Sequence, residues 1–398
     1  MRLLVDASPI RPGGAAGLEA FTYGLLSGLV EATDYDIEAT VLPGTIDAWR
    51  ASVGTDRIVW TETRRPLLFD NRSRQILRRL TPPRIRYSLA VRRTANAVRQ
   101  RSRPRTDRAD VVLHPFHCVP ASTGASVVVV HDLRHLQPEF WAPGFAAVVR
   151  ENIARAGAVA VSWPHPYREV LAAFPQLAEK VALIPPPALQ PAPRQAVTRP
   201  EPGLLLYPSS TASHKNHSTL LEAMARLTDC RLVCPGPLVE PEASRLLARA
   251  ARPDLRGRVS FPGFVTLDEL HRLYSRADAV VVPSLWEAAS GAVLEAFSWG
   301  LPVVCADSPP LLAQLEFCRA EAAVFAARDA ESLADAVRRV LDDRNRFAAA
   351  ARRAGDRLSG RTWTDAATDY ARLLEWVAAG RPGPVPQASF GTSLIGKG

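Results

Sequence analysis

Along this chain, short continuous apolar runs alternate with longer stretches in which apolar residues recur at helical spacing. Residues 3–6, 37–42, 111–114 and 127–131 are runs of the first kind, and 158–162 and 181–185 add two more. Segments so short and so uniformly apolar predict strands of a parallel sheet buried on both faces. A helix is expected from Glu19. Seven prolines between positions 185 and 202 then break the pattern, as a linker between domains does. A second alternating set follows, with strands at 204–207, 231–234 and 259–261. Its helices are expected at 217–227, up to about 247, and at 267–276, 333–341 and 364–379. Strand–helix alternation in both halves predicts an α/β fold of two Rossmann-like domains facing a central cleft. The pattern sets a first domain at 1–185, a proline-rich linker at 186–203 and a second domain at 204–360. A helix at 361–380 and a mobile tail at 381–398, rich in Pro, Gly and Ser, complete the chain.

Chemistry concentrates between residues 278 and 305. An apolar run ends at Pro283 and Ser284, a loop carries Glu287, and a helix is expected from about Ser290, a good capping residue. Gly300 and Pro302 stop that helix, and Val303, Val304 and Cys305 begin the next strand. Glu287 then lies at a helix N-terminus and Glu295 about one turn inside it. Both sit at the carboxyl end of a strand, where open α/β sheets bind their ligands. Backbone N–H groups of Ala289, Ser290 and Gly291 are expected to be free to hold an anion. Amides for an anion beside a carboxylate for hydroxyls suit a nucleotide diphosphate carrying a sugar.

Lys215 closes a strand-to-helix loop, with Asn216 or Ser218 placed to cap the helix that follows. A lysine there meets a phosphate as a point charge. Alone it reads as an ordinary solvated lysine; its weight comes from sharing a domain with Glu287 and Glu295. Gly13, Gly14 and Gly17 follow the first strand and let backbone approach a ligand, although a tight turn explains them as well. Their spacing is not the G-x-G-x-x-G of a dinucleotide-binding turn, which argues against a nicotinamide dehydrogenase. His131 and Asp132 end the most apolar strand of the first half. His131 is placed to donate to a sugar hydroxyl or, in the structural alternative, is satisfied in the core. His114 and His117 straddle a proline without a clustered acid, poor spacing for a metal.

Composition adds further bounds. With 398 residues the chain is too long for one ordinary core, and 47% hydrophobic with 22% charged residues is the composition of a soluble globular protein. No apolar run is long enough to span a membrane, and Asp6 stands where a signal peptide needs its apolar core. The five cysteines, odd in number and without paired C-x-x-C spacing, fit a reduced cytoplasmic protein. Charge is uneven. From Arg64 to Arg108 there are fifteen arginines and no lysine against Asp70 and Asp107, in a chain of net charge +9. Such a block suggests an anionic membrane surface at the inner face, or a solvated arginine-rich helix. Nucleic acid is not expected, because no binding motif accompanies the charge.

In this order, the loop from Gly13 to Glu19, the triplet His131, Asp132 and Leu133, residues 159–162, and His214, Lys215 and Asn216 form a recognisable series. Residues 261–265, Glu287 and Glu295, and Thr362 with Trp363 continue it. Together they resemble the retaining glycosyltransferases of family 4, from the first strand to about residue 379. The resemblance implies the GT-B fold, with the C-terminal helix returning to the first domain. It implies a nucleotide-sugar donor held by the second domain and an acceptor read by the first. Glu295 would hold the ribose hydroxyls, Glu287 would lie against the donor sugar, and Lys215 would neutralise the diphosphate. Gly263, Phe264 and Val265 would lie near the base, and Gly14 to Gly17 with His131 around the transferring sugar. Transfer would proceed with retention of configuration, without bound metal or other cofactor, by fixed positive charge and amides stabilising the departing diphosphate.

The chain departs from that pattern at three places. Ser210 stands five residues before Lys215 where many relatives carry Arg. Residues 288–292 read Ala-Ala-Ser-Gly-Ala in place of Gly-Phe-Gly-Leu-Pro, and Pro186-Pro187 replaces Asn-Gly. The activity expected is a metal-independent hexosyl transfer, with mannose from GDP-mannose first and UDP- or dTDP-sugars next. The acceptor would be lipid-linked, a polysaccharide or a small molecule at the cytoplasmic membrane surface. The alternative is a non-catalytic relative that binds nucleotide sugar or a partner transferase.

Overall fold

The computed structural model describes residues 1–10, 12, 16–63, 108–117, 124–137, 143–188, 192–193, 199–388 and 390. The chain divides into two compact units, 1–186 with 361–398 and 187–360.

Among the described residues, the first unit has seven strands: β1 (Arg2–Asp6), β2 (Asp36–Val41), β3 (Ile58–Glu62), β4 (Val111–His114), β5 (Ser126–Val130), β6 (Ala158–Val161) and β7 (Val181–Leu183). They lie parallel in the order β3-β2-β1-β4-β5-β6-β7. β4, β5 and β6 are buried at every residue, because helices cover both faces of an all-parallel sheet. Around the sheet run α1 (Ala16–Ala32), α2 (Ile46–Val53), α3 (Pro143–Arg155) and α4 (Pro164–Ala173). Val149 and Ile153 of α3 and Val170 of α4 pack with Val128, Val130, Val159 and Val161 into one core.

The second unit repeats the plan with six strands: β8 (Leu204–Leu206), β9 (Arg231–Pro235), β10 (Val259–Gly263), β11 (Ala279–Val282), β12 (Val303–Ala306) and β13 (Ala323–Phe325). Their order is β10-β9-β8-β11-β12-β13, again parallel throughout. Its helices are α5 (His217–Met224), α6 (Glu242–Ala250), α7 (Leu267–Arg276), α8 (Gly291–Ser298), α9 (Pro309–Cys318), α10 (Ala330–Asp342) and α11 (Arg344–Ser359). The strand order reverses between β8 and β11, so a crevice is expected where these two strands end. The former linker residues Arg199 and Glu201 are pinned to this unit, their N–H groups donating to Ser275 and Arg276 carbonyls.

The last helix, α12 (Trp363–Ala378), belongs to the first unit and packs along α1. It starts with a capping box between Thr362 and Asp365. A Cβ on Gly24 would stand 2.0 Å from the Trp363 ring, and one on Gly28 2.4 Å from the Trp363 carbonyl oxygen. Only glycine lets the two helices approach so closely. Just before α12, the buried Arg361 pairs with the buried Asp369 at 2.9 Å.

The tail, expected to be mobile from residue 381, is held over its first part. Gln387 donates to the Val181 carbonyl and accepts from the Leu183 N–H, both at 3.1 Å. Among the described residues β7 is the last strand of the sheet, and the glutamine amide satisfies two backbone groups on its open side. The Trp376 indole adds a bond to the Pro382 carbonyl at 3.0 Å. Residues 391–398 lie outside the described residues.

Candidate functional site

In the second unit, the loops leaving β8 and β11 are bolted together at the reversal of strand order. The Tyr207 hydroxyl donates to the Lys215 carbonyl at 3.1 Å and shares a 2.7 Å bond with the Ser284 hydroxyl. Burial raises the Tyr207 pKa well above its ordinary value, so the group stays a neutral donor. The Asn216 amide donates to the Pro283 carbonyl at 3.0 Å, and the Leu285 N–H to the His214 carbonyl at 2.9 Å. Asn216 adopts a left-handed backbone (φ 57°), which asparagine tolerates better than most residues. It holds the N-cap position of α5 without capping it. Its side chain is spent instead on Pro283 and on the Thr219 hydroxyl. Ser218 is no cap either; its hydroxyl reaches Glu242.

With the loops fixed, Lys215 and Glu287 meet. The Lys215 Nζ lies 2.7 Å from each Glu287 carboxylate oxygen, and the side chains are 19% and 8% exposed. Glu295 sits one turn inside α8, also buried. Its Oε2 accepts the Tyr274 hydroxyl at 2.6 Å. Burial pushes the Glu295 carboxyl up to about 7, against the opposing effect of the Tyr274 bond.

The amides between the glutamates need a correction. Ser290 occupies the N-cap position of α8, but its side chain makes no capping bond. Its N–H is not free for an anion: it donates to the Gln314 side-chain oxygen at 2.8 Å, while the Gln314 NH2 donates to the Ser290 carbonyl at 2.9 Å. This two-point clamp from α9 is buried and fixes the segment carrying Ala289 and Gly291. Ser210 is half-buried on the β8 loop, between Ser209 and Thr211, whose N–H groups bind the Pro235 and Pro237 carbonyls. At the end of β10, Gly263 needs its positive φ of 77°, and its carbonyl accepts from the Gly236 N–H at 2.8 Å. The turn leaves Phe264 70% exposed, with Val265 half-buried beside it.

In the first unit, His131 leaves the carboxyl end of β5 with both ring nitrogens engaged. Nε2 lies 3.0 Å from the Pro115 carbonyl oxygen and Nδ1 3.0 Å from the Ser162 hydroxyl. A carbonyl only accepts, so Nε2 carries the proton and Nδ1 takes the Ser162 hydroxyl. Burial lowers the ring's pKa, in keeping with this neutral tautomer. Donation to a sugar hydroxyl therefore requires the ring to give up a bond it already makes. Nearby, Gln137 donates to Glu169, whose carboxyl is pushed up to about 7 by burial and by the Asp132 charge. Gly17 lies not in a loop but in the first turn of α1, exposed. Gly14, Cys118 and all but the last residue of the block from Arg64 to Arg108 lie outside the described residues. Among the described residues, no group of three His, Cys, Asp or Glu side chains gathers as metal ligands, and no helix is long and apolar enough to cross a membrane.

Three of these groups are missed by sequence reasoning: Tyr274, Gln314 and Glu169. Tyr274 alone has a sequence signal, a tyrosine on the buried side of the amphipathic α7.

Comparison with known proteins agrees with this layout. Seventeen percent of residues are identical to sucrose-phosphate synthase of Thermosynechococcus elongatus, with a TM-score of 0.73 over 96% of this chain and 100% of that one. HepE of Anabaena, solved with UDP and glucose, gives a TM-score of 0.67 at 17% identity, over 94% and 99%. The chain thus has the GT-B fold of glycosyltransferases. Residues 191–356 match the model of the Glycosyl transferases group 1 family. That match spans nearly the whole of the second unit. Alpha-D-kanosaminyltransferase of Streptomyces kanamyceticus is 30% identical over 145 residues, which span 35% of this chain and only 36% of that relative.

Proposed function

We propose that the protein is a metal-independent, retaining hexosyltransferase that uses a nucleotide-sugar donor. The observation that carries this reading is the meeting of Lys215 and Glu287 where the second sheet reverses, with Glu295 one turn beyond. Lys215 offers a fixed positive charge to the diphosphate as it departs, Glu287 accepts hydroxyls of the donor sugar, and Glu295 accepts those of the ribose. In the transfer, the bond from the anomeric carbon to the diphosphate oxygen breaks, the acceptor oxygen bonds to that carbon on the same face, and the acceptor's proton passes to the departing diphosphate.

Mannose from GDP-mannose is the transfer the sequence favours. The UDP seen with HepE makes a UDP-sugar the competing donor. A lipid-linked, polysaccharide or small-molecule acceptor at the inner membrane surface rests on the charge between Arg64 and Arg108. A second reading, a non-catalytic relative, draws on the Ser290 N–H, which Gln314 already occupies.

Thermal-shift and calorimetric titration with GDP, UDP, dTDP and their sugar conjugates, with and without divalent metal, tests the proposal. Metal-independent stabilisation by one nucleotide sugar, followed by its turnover to a product of retained configuration, is expected. Binding without turnover on any acceptor class favours the second reading, and no binding at all overturns the enzyme and leaves the non-catalytic relative that binds a partner transferase.

A further inference from the structure

We infer that Tyr274 is a positioning residue for Glu295: its hydroxyl fixes one carboxylate oxygen and so presents the other at the start of α8, to the ribose of a nucleotide. The inference rests on the nucleotide-binding reading above and adds to it a residue from a different element.

Tyr274 stands in the last turn of α7 and is buried with its ring parallel to Trp299, the centroids 6.0 Å apart and the planes 9° off. Trp299 follows Glu295 by four residues, so the same face of the α8 turn supplies both the carboxylate and the wall that holds the tyrosine ring. His271, one turn earlier on α7, meets the Trp299 ring at 5.6 Å. The phenol is thereby left one direction in which to point, and it donates to Glu295 Oε2 at 2.6 Å. Hydrogen bonds to a charged acceptor in a buried site are short and strong. The remaining oxygen, Oε1, lies 3.5 Å from where a Cβ on Gly291 would be, over the first turn of the helix. A carboxylate has lone pairs enough on one oxygen for two vicinal hydroxyls. Without the phenol, the burial that raises the Glu295 pKa acts unopposed and the carboxylate is free to turn.

The test is Tyr274→Phe, which keeps the ring and removes only the hydroxyl. Affinities for GDP and UDP are measured by calorimetry beside their 2′-deoxy and 3′-deoxy forms, for the wild type, Tyr274→Phe, Glu295→Gln and the double variant. Tyr274→Phe is expected to bind about ten- to one-hundredfold more weakly and to lose most of its preference for the ribose form. The double variant is expected to bind no more weakly than Glu295→Gln alone. That preference is a ratio, independent of the fraction of protein folded, so it stands even where the variant is less stable. If Tyr274→Phe keeps the full preference while Glu295→Gln loses it, the positioning role falls and the nucleotide reading survives. If the wild type binds neither nucleotide, both fall together.

Discussion

Lys215 donates to both oxygens of Glu287 at 2.7 Å, across the gap between loops that leave different strands. The contact depends on Tyr207, Asn216 and Leu285 keeping those loops together. Removing one partner leaves a buried charge unpaired, which costs more than the pair itself contributes. Lys215→Met is expected to lose about 2–4 kcal/mol of stability, toward the low end because Lys215 is partly exposed. Adding Glu287→Leu should restore most of that loss in chemical denaturation. Nucleotide-sugar affinity should stay lost in the double variant. A double variant no more stable than Lys215→Met would show that the pair is not the source of the loss.

Glu295 couples stability to pH with an unusual sign for a carboxylate. Its folded pKa of about 7 lies above the ordinary 4.5. Between those values the folded chain keeps a proton that the unfolded chain has released, so stability falls as pH rises and levels off above about 7. The full effect is at most about 3 kcal/mol. Glu295→Gln should reduce this slope, and it should gain on the wild type when denaturation is compared at pH 5 and pH 8. Glu169, raised to a similar value in the first unit, keeps part of the slope in the variant. Nucleotide binding runs the other way: ribose hydroxyls need the carboxylate ionised, so wild-type affinity should rise toward pH 7.

The parts of this fold that a sequence pattern carries are those where one element is its own evidence. The strand at 111–114 and the helix at 267–276 stand at the residues their patterns name. A doubly covered strand is a continuous apolar run, and α7 begins with the capping box of Thr266 and Glu269. β3 escapes such reading because it is an edge strand that alternates buried and exposed residues with charged ones beside it. α9 escapes because Pro309 and Pro310 open it, and prolines read as breakers unless they fall in a first turn. Within the site, Glu287 and Glu295 are legible from one window. The clamp of Gln314 on Ser290 joins residues 24 apart, and nothing in an isolated glutamine announces its partner. Ser290 itself has the right position and a different partner, because the buried glutamine amide satisfies both of its backbone groups.

Phe264 tests the base. A side chain 70% exposed contributes little to stability, so Phe264→Ala should unfold within about 0.5 kcal/mol of the wild type. If a nucleobase stacks on the ring, nucleotide affinity should fall by about 1–3 kcal/mol. Unchanged calorimetric affinity would move the base elsewhere.

The arginine block can be tested without its structure. Charge reversal at Arg72, Arg74, Arg78 and Arg79 should release the protein from vesicles containing anionic lipid, by about 1 kcal/mol for each charge near the surface. Sedimentation with anionic and with neutral vesicles measures it. Binding that survives the reversal, or that never occurs, leaves the block as a solvated face.

Gln314 separates the sugar from the nucleotide. Its amide holds the Ser290 N–H and carbonyl at 2.8 and 2.9 Å, and all of these groups are buried. Gln314→Leu leaves both backbone groups without partners, at a cost of about 2–4 kcal/mol. Gln314→Glu keeps an acceptor for the N–H but sets a buried, unpaired carboxylate against the carbonyl, so its cost should be no smaller. Glu295 is anchored by Tyr274 from α7, independently of this clamp, and the ribose contact should therefore survive. Glu287 lies on the segment that the clamp holds. Gln314→Leu should accordingly bind the free nucleoside diphosphate much as the wild type does. Its affinity for the sugar conjugate should drop to the same level, because the added contacts of the sugar are lost. Equal losses for both ligands would mean that the clamp supports the whole domain and has no particular hold on the sugar.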